Sequence, residues 1–290
     1  MKKIKILFNA IIGEIIKLWY KMGIARIQYG LNKIENPEGK RVIVSLTSYG
    51  RRVSKVLPYT IISLLRQTYK PDMIILWLDE DNWNESNIPC QLARLQQYGL
   101  TIQFCEDIKS YKKLIPALEA YPNDIIIAVD DDFFYRKHLI KQLLDAWTAN
   151  PNCIYTHRAY GYKIASNGNL LPYDQWDKEI ENRNDKYVFP LGGSGCLYKR
   201  NLLYKDVCRK DLFMRLTPKA DDIWFFIMEI MQGTTRVVLP CKKRSYILID
   251  LFYQFTHKDG ALYNTNDKEG GNDYQMAMVS RHYNIKWDDL

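Results

Sequence analysis

Three adjacent carboxylates follow an apolar run in the middle of the chain. Residues 125–129 are Ile-Ile-Ile-Ala-Val, which is typical of a strand buried on both faces, and Asp130, Asp131 and Asp132 come directly after it. Like charges at the mouth of a buried strand repel one another, and a divalent cation relieves that repulsion. Because side chains at i and i+2 of an extended chain point the same way, we expect Asp130 and Asp132 to face one ion while Asp131 points elsewhere.

The chemistry that this triplet indicates is the binding of a metal ion or a diphosphate. Carboxylates suit hard ions such as Mg²⁺ and Mn²⁺, and open α/β sheets bind ligands at the carboxyl ends of their strands. The alternative is that one aspartate caps a helix that begins near Phe133. One aspartate would suffice for a cap, so the triplet favours the metal or diphosphate site.

Strands and helices are predicted to alternate along residues 41–150. Runs of apolar, β-branched residues mark the strands, and turn residues such as Pro71 separate them from their neighbours. Such alternation implies right-handed crossovers and a parallel sheet. The fold class is therefore α/β, Rossmann-like, with a mostly parallel central sheet and flanking helices. The predicted strands are 41–46, 73–78, 100–104 and 125–129, and the predicted helices are 57–68, 87–98 and 111–120.

The second half of the chain has a different pattern. Residues 161–190 are polar, aromatic and irregular, and a glycine-rich run at 192–195 allows close backbone approach to a ligand. No second dinucleotide-type half is visible, so we assign this part to the acceptor side of one domain. Its predicted strands are 153–160 and 235–239, and its predicted helices are 220–232 and one near 272–283.

Residues 1–34 are predicted to form a basic amphipathic helix. Apolar residues recur there at three- and four-residue spacing with lysines mostly opposite, as in helices that lie on anionic membranes. The alternative is a helix that packs on the protein's own body or on a second subunit. Its longest uncharged stretch, 6–13, is far shorter than the ~20 residues of a membrane span. We expect an arm, 1–36, and one domain, 37–290, whose two halves are 37–150 and 151–290.

Composition and charge exclude several classes of protein. Apolar residues make up 47% and charged residues 26% of the 290 residues, as in ordinary globular proteins. Of the net charge of +8, the first 35 residues carry +5, which argues against a nucleic-acid-binding face on the body.

The six cysteines form no C-x-x-C pair and the N-terminal segment fits no secretory signal, so neither disulfides nor zinc are expected. We predict a cytoplasmic protein, with peripheral contact to the inner face of the membrane.

Four motifs in one order and spacing resemble those of GT-A fold glycosyltransferases, in the style of the large family 2. Residues 63–75, Ser-Leu-Leu-Arg-Gln-Thr-Tyr-Lys-Pro-Asp-Met-Ile-Ile, are similar to that family's helix-to-strand pattern. The strand that ends near Asp79 resembles the one that carries an acidic residue to the nucleobase. Asp130-Asp131-Asp132 resembles the D-x-D motif, and Asp221-Asp222 stands where the family has a Glu-Asp pair. The likeness runs from about residue 41 to 232 and implies the GT-A fold. It also implies that 37–290 is one catalytic domain, with a nucleotide-sugar half at 37–150 and an acceptor half at 151–290.

The resemblance also implies a metal ion and a nucleotide-sugar donor. Asp132 would hold Mn²⁺ or Mg²⁺, Asp130 would contact the ribose or the ion, and His257 would be a further ligand. A lone histidine is more often structural, which is the alternative for His257. Lys112 or Lys113 stands where the family often has a basic residue that reaches the diphosphate or ribose, and Arg51 and Arg52 could clamp phosphate. The alternative is that the lysines belong to a solvated helix start and that the arginines are simply exposed. The residues implied in nucleotide binding are Thr47, Tyr49, Arg51, Asp79, Lys113, Asp130 and Asp131.

On the acceptor side, the resemblance implies that Asp222 is the catalytic base and that Asp221 binds or orients the acceptor. An inverting transfer needs a base that takes the proton of the acceptor hydroxyl. The alternative is that the pair caps its helix, and a helix N-terminus would lower an aspartate pKa and so weaken a base. Trp224 is either an acceptor platform or part of the core.

The function predicted from these motifs is sugar transfer from a nucleotide sugar, most readily a UDP-sugar, to a saccharide or lipid-linked glycan in cell-surface polysaccharide synthesis. Two alternatives stay open. A sugar nucleotidyltransferase shares the α/β layout, although its usual early glycine-rich loop is missing from residues 41–52. A non-catalytic saccharide-binding protein could keep the fold without turnover.

Overall fold

The computed structural model describes residues 11–18, 39–183, 186–240, 246–249 and 271–289. Seven of its twelve described strands form the central sheet. The strands are β1 (Val42–Thr47), β2 (Met73–Asp79), β3 (Leu100–Cys105), β4 (Ile125–Ala128), β5 (Phe133–Tyr135), β6 (Cys153–Thr156), β7 (Ala159–Gly161), β8 (Asp177–Ile180), β9 (Val188–Pro190), β10 (Cys196–Tyr198), β11 (Thr235–Val238) and β12 (Tyr246–Leu248).

In the described part of the chain beyond residue 39, eight α-helices cover the sheet or flank it. They are α1 (Arg52–Lys55), α2 (Leu57–Leu65), α3 (Cys90–Gln96), α4 (Ile115–Ala120), α5 (Leu139–Ala149), α6 (Lys210–Leu216), α7 (Asp221–Gln232) and α8 (Gly271–His282). Helix α7 ends at Gly233, whose φ of 73° is a left-handed conformation that glycine adopts without steric cost.

The central sheet has the strand order β11-β6-β10-β4-β1-β2-β3. Strands β3, β2, β1 and β4 are parallel neighbours, β11 is parallel to β6, and β10 runs antiparallel to both β4 and β6. The predicted α/β fold with a mostly parallel central sheet and flanking helices is therefore confirmed. The sheet includes strands from both predicted halves, whereas the predicted boundary at 36/37 lies outside the described residues.

Alternate residues of the central strands are buried on opposite faces of the sheet. Val42, Val44 and Leu46 belong to one apolar cluster together with the buried residues of α2 and α5, whereas Ile43 belongs to a second cluster with those of α7. This is why the central strands are apolar throughout instead of alternating with polar residues. Each fully buried aliphatic side chain contributes about 1.5–3 kcal/mol, so the two clusters hold the sheet and its loops in place.

Four local predictions were wrong in detail. The helix expected near Phe133 is instead strand β5, which pairs antiparallel with β12, and the next helix begins at Leu139. The helix predicted over 111–120 is divided into a 3-10 turn, Lys109–Lys113, and α4, because Pro116 lies in the first turn of α4. The strand predicted over 153–160 is divided into β6 and β7, and the stretch called irregular contains β8 and β9, which flank β7 in a small antiparallel sheet.

Residues 11–18 are helical, as predicted, and lie against the body. A Cβ on Gly13 would come within 3.2 Å of a backbone carbonyl oxygen of Leu248, so this helix approaches the chain near β12 closely. Ile16 packs against one of the two apolar clusters, whereas Ile11 and Ile15 are more than half exposed. The rest of the predicted arm lies outside the described residues. No helix in the described part of the chain is long and apolar enough to cross a membrane.

Candidate active site

The carboxyl ends of three parallel strands meet at one edge of the sheet. β1 lies between β2 and β4, with Thr47 beside Trp77 and Ser45 beside Ala128. The loop after β1, the end of β2 and the aspartate triplet after β4 are therefore neighbours. This is the edge at which open α/β sheets bind ligands. The prediction that the triplet follows a buried strand is confirmed.

The three aspartates have different partners within the chain. Asp131 is buried; it accepts a hydrogen bond from the Ser48 hydroxyl (2.5 Å) and one from Arg52 Nη1 (2.7 Å). Asp132 pairs with Nη2 of the same arginine at 3.2 Å, and Asp130 pairs with Lys113 at 3.1 Å. Burial raises the pKa of Asp131, and the charge of Arg52 opposes that shift. Repulsion within the triplet is thus relieved at least in part by the chain's own cations.

Lys113 lies among three aspartates, Asp130, Asp221 and Asp222, and together these four residues form a charged cluster. The side chain of Lys113 is almost fully buried, and its Nζ lies 2.8 Å from Asp221, 3.1 Å from Asp130 and 3.8 Å from Asp222. Burial lowers the pKa of Lys113, but these carboxylates outweigh it and hold the pKa well above its ordinary value. The 3-10 turn that carries Lys113 is fixed by Tyr111, whose ring stacks on Phe213 and whose hydroxyl donates to Thr217. The expectation of a solvated helix start is wrong for Lys113.

Lys112 is buried as well and forms an ion pair with Asp107. None of the ion pairs that the described residues form with the triplet includes Lys112. Of the two lysines that the sequence left open, Lys113 is therefore the one that contacts the aspartates.

Asp222 combines a raised pKa with access to solvent. Its pKa is raised to about 7. Burial is the main cause and the charges of Asp221 and Asp130 add to it, whereas the charge of Lys113 opposes the shift. This is the opposite of the decrease expected from a helix N-terminus. Its side chain remains 31% exposed, and its Oδ1 accepts a hydrogen bond from the Gly192 N–H at 3.2 Å. The capping alternative is wrong, because the N-cap position is Ala220 and no side chain caps α7.

The glycine-rich run 192–195 approaches the aspartates themselves. A Cβ on Gly193 would lie 1.9 Å from Oδ2 of Asp130, so any larger residue would displace this carboxylate. The backbone carbonyl of Gly193 accepts a hydrogen bond from the Tyr135 hydroxyl (2.5 Å), and the same hydroxyl accepts from the Asp130 N–H (2.8 Å). Sequence reasoning missed Tyr135; its position two residues after Phe133 in an aromatic run was the only signal.

The residues predicted to bind the nucleotide fall into two groups. Asp79 is buried and its Oδ1 accepts hydrogen bonds from the backbone and side chain of Asn82, and Thr47 donates its hydroxyl to the Trp77 carbonyl at 2.8 Å. Asp79 therefore fixes the turn after β2, and Thr47 ties the end of β1 to β2. Tyr49 is 55% exposed, with the Arg52 guanidinium 5.4 Å from its ring centre, and Arg51 is exposed.

The two remaining candidates lie away from the site or outside the described residues. Trp224 is fully buried and donates its indole N–H to the Val207 carbonyl at 2.9 Å, so it belongs to the core and is no acceptor platform. His257 lies outside the described residues, and its predicted role as a metal ligand stays a prediction.

The donor set of the triplet fits a hard divalent ion. Asp130 and Asp132 provide carboxylate oxygens at the strand ends, and the side chain of Asp130 is 39% exposed. In the described part of the chain, no group of three His, Cys, Asp or Glu side chains is arranged to hold a metal. Mg²⁺ and similar ions are usually bound by one or two carboxylates together with substrate phosphates, so two aspartates and a diphosphate would suffice.

Glu229 is a buried acid about two helical turns after Asp221 and Asp222 on α7. Its side chain is fully buried, and neither carboxylate oxygen has a hydrogen-bond partner among the described residues. Its pKa is raised to about 8. Burial is the main cause and the charge of Asp222 adds to it, whereas the charge of Arg236 opposes the shift. Glu229 therefore holds a proton at neutral pH.

We expect the stability of the protein to fall as pH rises from about 5 to 8, in part because of Glu229. The unfolded chain loses this proton near the ordinary glutamate pKa of 4.5, whereas the folded chain keeps it up to about 8. Within that window the cost is at most about 1.4 kcal/mol per pH unit. In urea unfolding at pH 6 and pH 8, Glu229→Gln should lose less stability than the wild type. The exposed control Glu85→Gln should follow the wild type, and parallel losses in all three proteins would contradict the prediction.

Comparison with known proteins identifies related folds. No family model matches the chain, and no curated protein matches it in sequence. Its structure is similar to a CMP:2-keto-3-deoxy-manno-octonic acid synthetase complexed with CTP, at 11% identity and a TM-score of 0.43, over 70% of this chain and 90% of that one. It is also similar to the 1–349 fragment of S. aureus TarS, at 13% identity and a TM-score of 0.48, over 84% of this chain and 72% of that one. Similarity at this level leaves the function to be argued from the site.

Proposed function

We propose that this protein is an inverting glycosyltransferase of the GT-A type, which moves a sugar from a nucleoside diphosphate sugar to a saccharide acceptor. The observation that carries the proposal is the position of Asp222. This partly exposed carboxylate, with a pKa of about 7, shares Lys113 with Asp130 at the strand ends. A candidate base and a candidate diphosphate site therefore belong to one charged cluster.

Asp222 is suited to take the proton of an acceptor hydroxyl. With a pKa of about 7, a large fraction of the carboxylate is ionised at neutral pH and is still basic enough to accept a proton. The acceptor oxygen then forms a bond to the anomeric carbon as the bond from that carbon to the diphosphate oxygen breaks. The nucleoside diphosphate leaves with the bonding electrons. Asp221, held at 2.8 Å by Lys113, lies next to the base and is the residue proposed to orient the acceptor.

The diphosphate side of the site is assigned to Asp130 and Asp132. When bound there, Mn²⁺ or Mg²⁺ would act as a Lewis acid that neutralises the charge developing on the leaving group. His257 is the proposed further ligand. The chain's own contribution is to fix Asp130, because Lys113 pairs with its carboxylate and Tyr135 binds its backbone N–H. The exposed residues Tyr49 and Arg51 are proposed to contact the nucleotide, which we expect to be UDP.

The acceptor is proposed to be a saccharide or a lipid-linked glycan of a cell-surface polysaccharide. A basic arm, residues 1–34, would bring the enzyme to an anionic membrane surface on the cytoplasmic side. Within residues 11–18, the exposed side chains of Ile11, Ile15 and Leu18 provide apolar contact area for that purpose.

The proposal is tested by incubating the protein with a panel of nucleotide sugars, Mn²⁺ and a saccharide mixture. We expect one donor to raise the melting temperature by several degrees, since a ligand at 100 times its Kd stabilises the folded state by about 2.7 kcal/mol. That donor should release a nucleoside diphosphate as the sugar is transferred. Consumption of pyrophosphate with formation of a nucleoside triphosphate would instead favour a sugar nucleotidyltransferase. Saccharide binding without turnover, unchanged by Asp132→Ala, would favour a non-catalytic protein.

A further inference from the structure

Arg52 connects two members of the aspartate triplet. Its Nη1 lies 2.7 Å from Asp131 Oδ1 and its Nη2 lies 3.2 Å from Asp132 Oδ2. A guanidinium is a rigid planar fork, so two of its nitrogens can each donate to a different carboxylate in a fixed geometry. Its side chain is still 30% exposed, so part of it is accessible to a ligand from solvent.

The two contacts of Arg52 are unequal. Asp131 is buried and also bound by the Ser48 hydroxyl, and its contact with Arg52 is the shorter one. Asp132 is bound at a longer distance, and its side chain is somewhat more exposed, 12% against 5% for Asp131. Arg52 is therefore anchored on Asp131, and the contact with Asp132 is the one that a ligand can replace.

We propose that Arg52 is a resident counter-cation that competes with a divalent ion for Asp132 and yields when a nucleoside diphosphate binds. The inference rests on the proposed function, since it deepens the assignment of the diphosphate site. A divalent ion at Asp132 alone would stand beside the guanidinium, and like charges at such separations repel. A diphosphate supplies oxygens for both cations, because guanidinium groups bind phosphates bidentately and divalent ions bind phosphate oxygens readily.

The consequence of this arrangement is that ion binding and nucleotide binding are coupled. In the absence of nucleotide, the ion must displace Arg52 from Asp132 and therefore binds weakly. With the diphosphate present, Arg52 has a new partner and the ion binds more tightly. By thermodynamic linkage the ion must strengthen nucleotide binding by the same factor. Through its contact with Asp132, Arg52 thus makes the affinity of the site for the ion depend on the bound nucleotide, and the reverse.

The test measures binding and does not require turnover. Free Mn²⁺ is followed by its electron paramagnetic resonance signal in titrations of the wild type, Arg52→Gln, Arg52→Lys and the matched control Lys55→Gln, each with and without UDP. Lys55 is an exposed cation on the same short helix as Arg52. In the wild type we expect UDP to increase Mn²⁺ affinity by roughly tenfold or more, within the usual range of coupling between sites. Arg52→Gln should bind Mn²⁺ more tightly without UDP, and UDP should add much less.

Circular dichroism shows whether Arg52→Gln folds. If it does not fold, Arg52→Lys replaces it in the test, because lysine keeps a positive charge beside the buried Asp131. Arg52→Lys should show the same changes in part, and Lys55→Gln should behave like the wild type. If the folded arginine variants bind Mn²⁺ without UDP no more tightly than the wild type, the inference is overturned. Failure of every nucleotide to bind would instead contradict the proposed function, and the titrations with Mn²⁺ alone would still decide the competition at Asp132.

Discussion

Replacing Asp222 by Asn is expected to lower the rate of sugar transfer by about 10²- to 10⁴-fold, the usual contribution of a general base. Asparagine keeps the shape and can still accept the hydrogen bond from the Gly192 N–H, but it cannot take a proton at neutral pH. Donor binding should be retained, because Asp222 is assigned to the acceptor side. The measurement is the transfer rate under saturating donor, together with donor affinity by calorimetry or thermal shift.

Asp145→Asn is the matched control for this prediction. Asp145 is an exposed aspartate on α5 that pairs only locally, with Lys141, so its replacement should leave the rate unchanged within about twofold. In the wild type, the rate should fall about tenfold per pH unit below a pKa near 7 and level off above it, since only the ionised form of Asp222 accepts a proton. Unchanged turnover in Asp222→Asn would remove the assignment of the base.

Replacing Lys113 by Met is expected to destabilise the protein by about 3–5 kcal/mol, because carboxylates packed around a buried cation would lose their shared partner. Lys113 lies within 4 Å of Asp130, Asp221 and Asp222, and its side chain is almost fully buried. Urea unfolding at pH 7 measures this loss. The same change removes the influence that lowers the pKa of Asp222, so in protein that still folds the pH profile of transfer should move to higher pH.

Two further variants separate this effect from the simple loss of a lysine. Lys141→Met removes a solvent-exposed lysine whose partner is one helical turn away, and we expect a loss below about 0.5 kcal/mol. The double variant of Lys113→Met with Asp221→Asn should be less destabilised than the sum of its single changes, since each substitution removes a partner of the other. Additive losses would show that Lys113 stabilises the protein by its packing and not by its charge.

The sequence alone determined the strands of the nucleotide-side half and the acidic residues that follow two of them. Runs such as 42–47 and 125–128 are apolar and β-branched because both of their faces are buried, and that requirement is visible in the local pattern. Helix α7 was predicted almost to its ends, since its apolar run and Gly233 are local signals as well. The triplet follows from its own residues, whereas the role of Asp222 is implied by the resemblance of the motifs.

Only the tertiary structure decided how these charges are paired. Arg52 and Asp131 are 79 positions apart in the chain, and no local pattern indicates that one neutralises the other. The same holds for the burial of Lys113 among three aspartates and for the raised pKa of Asp222, which depends on burial and on neighbours from other elements. Phe133–Tyr135 became a strand because β12 pairs with it, against the local expectation of a helix. Local sequence encodes which faces are buried, whereas the energy of a buried charge depends on distances that only packing sets.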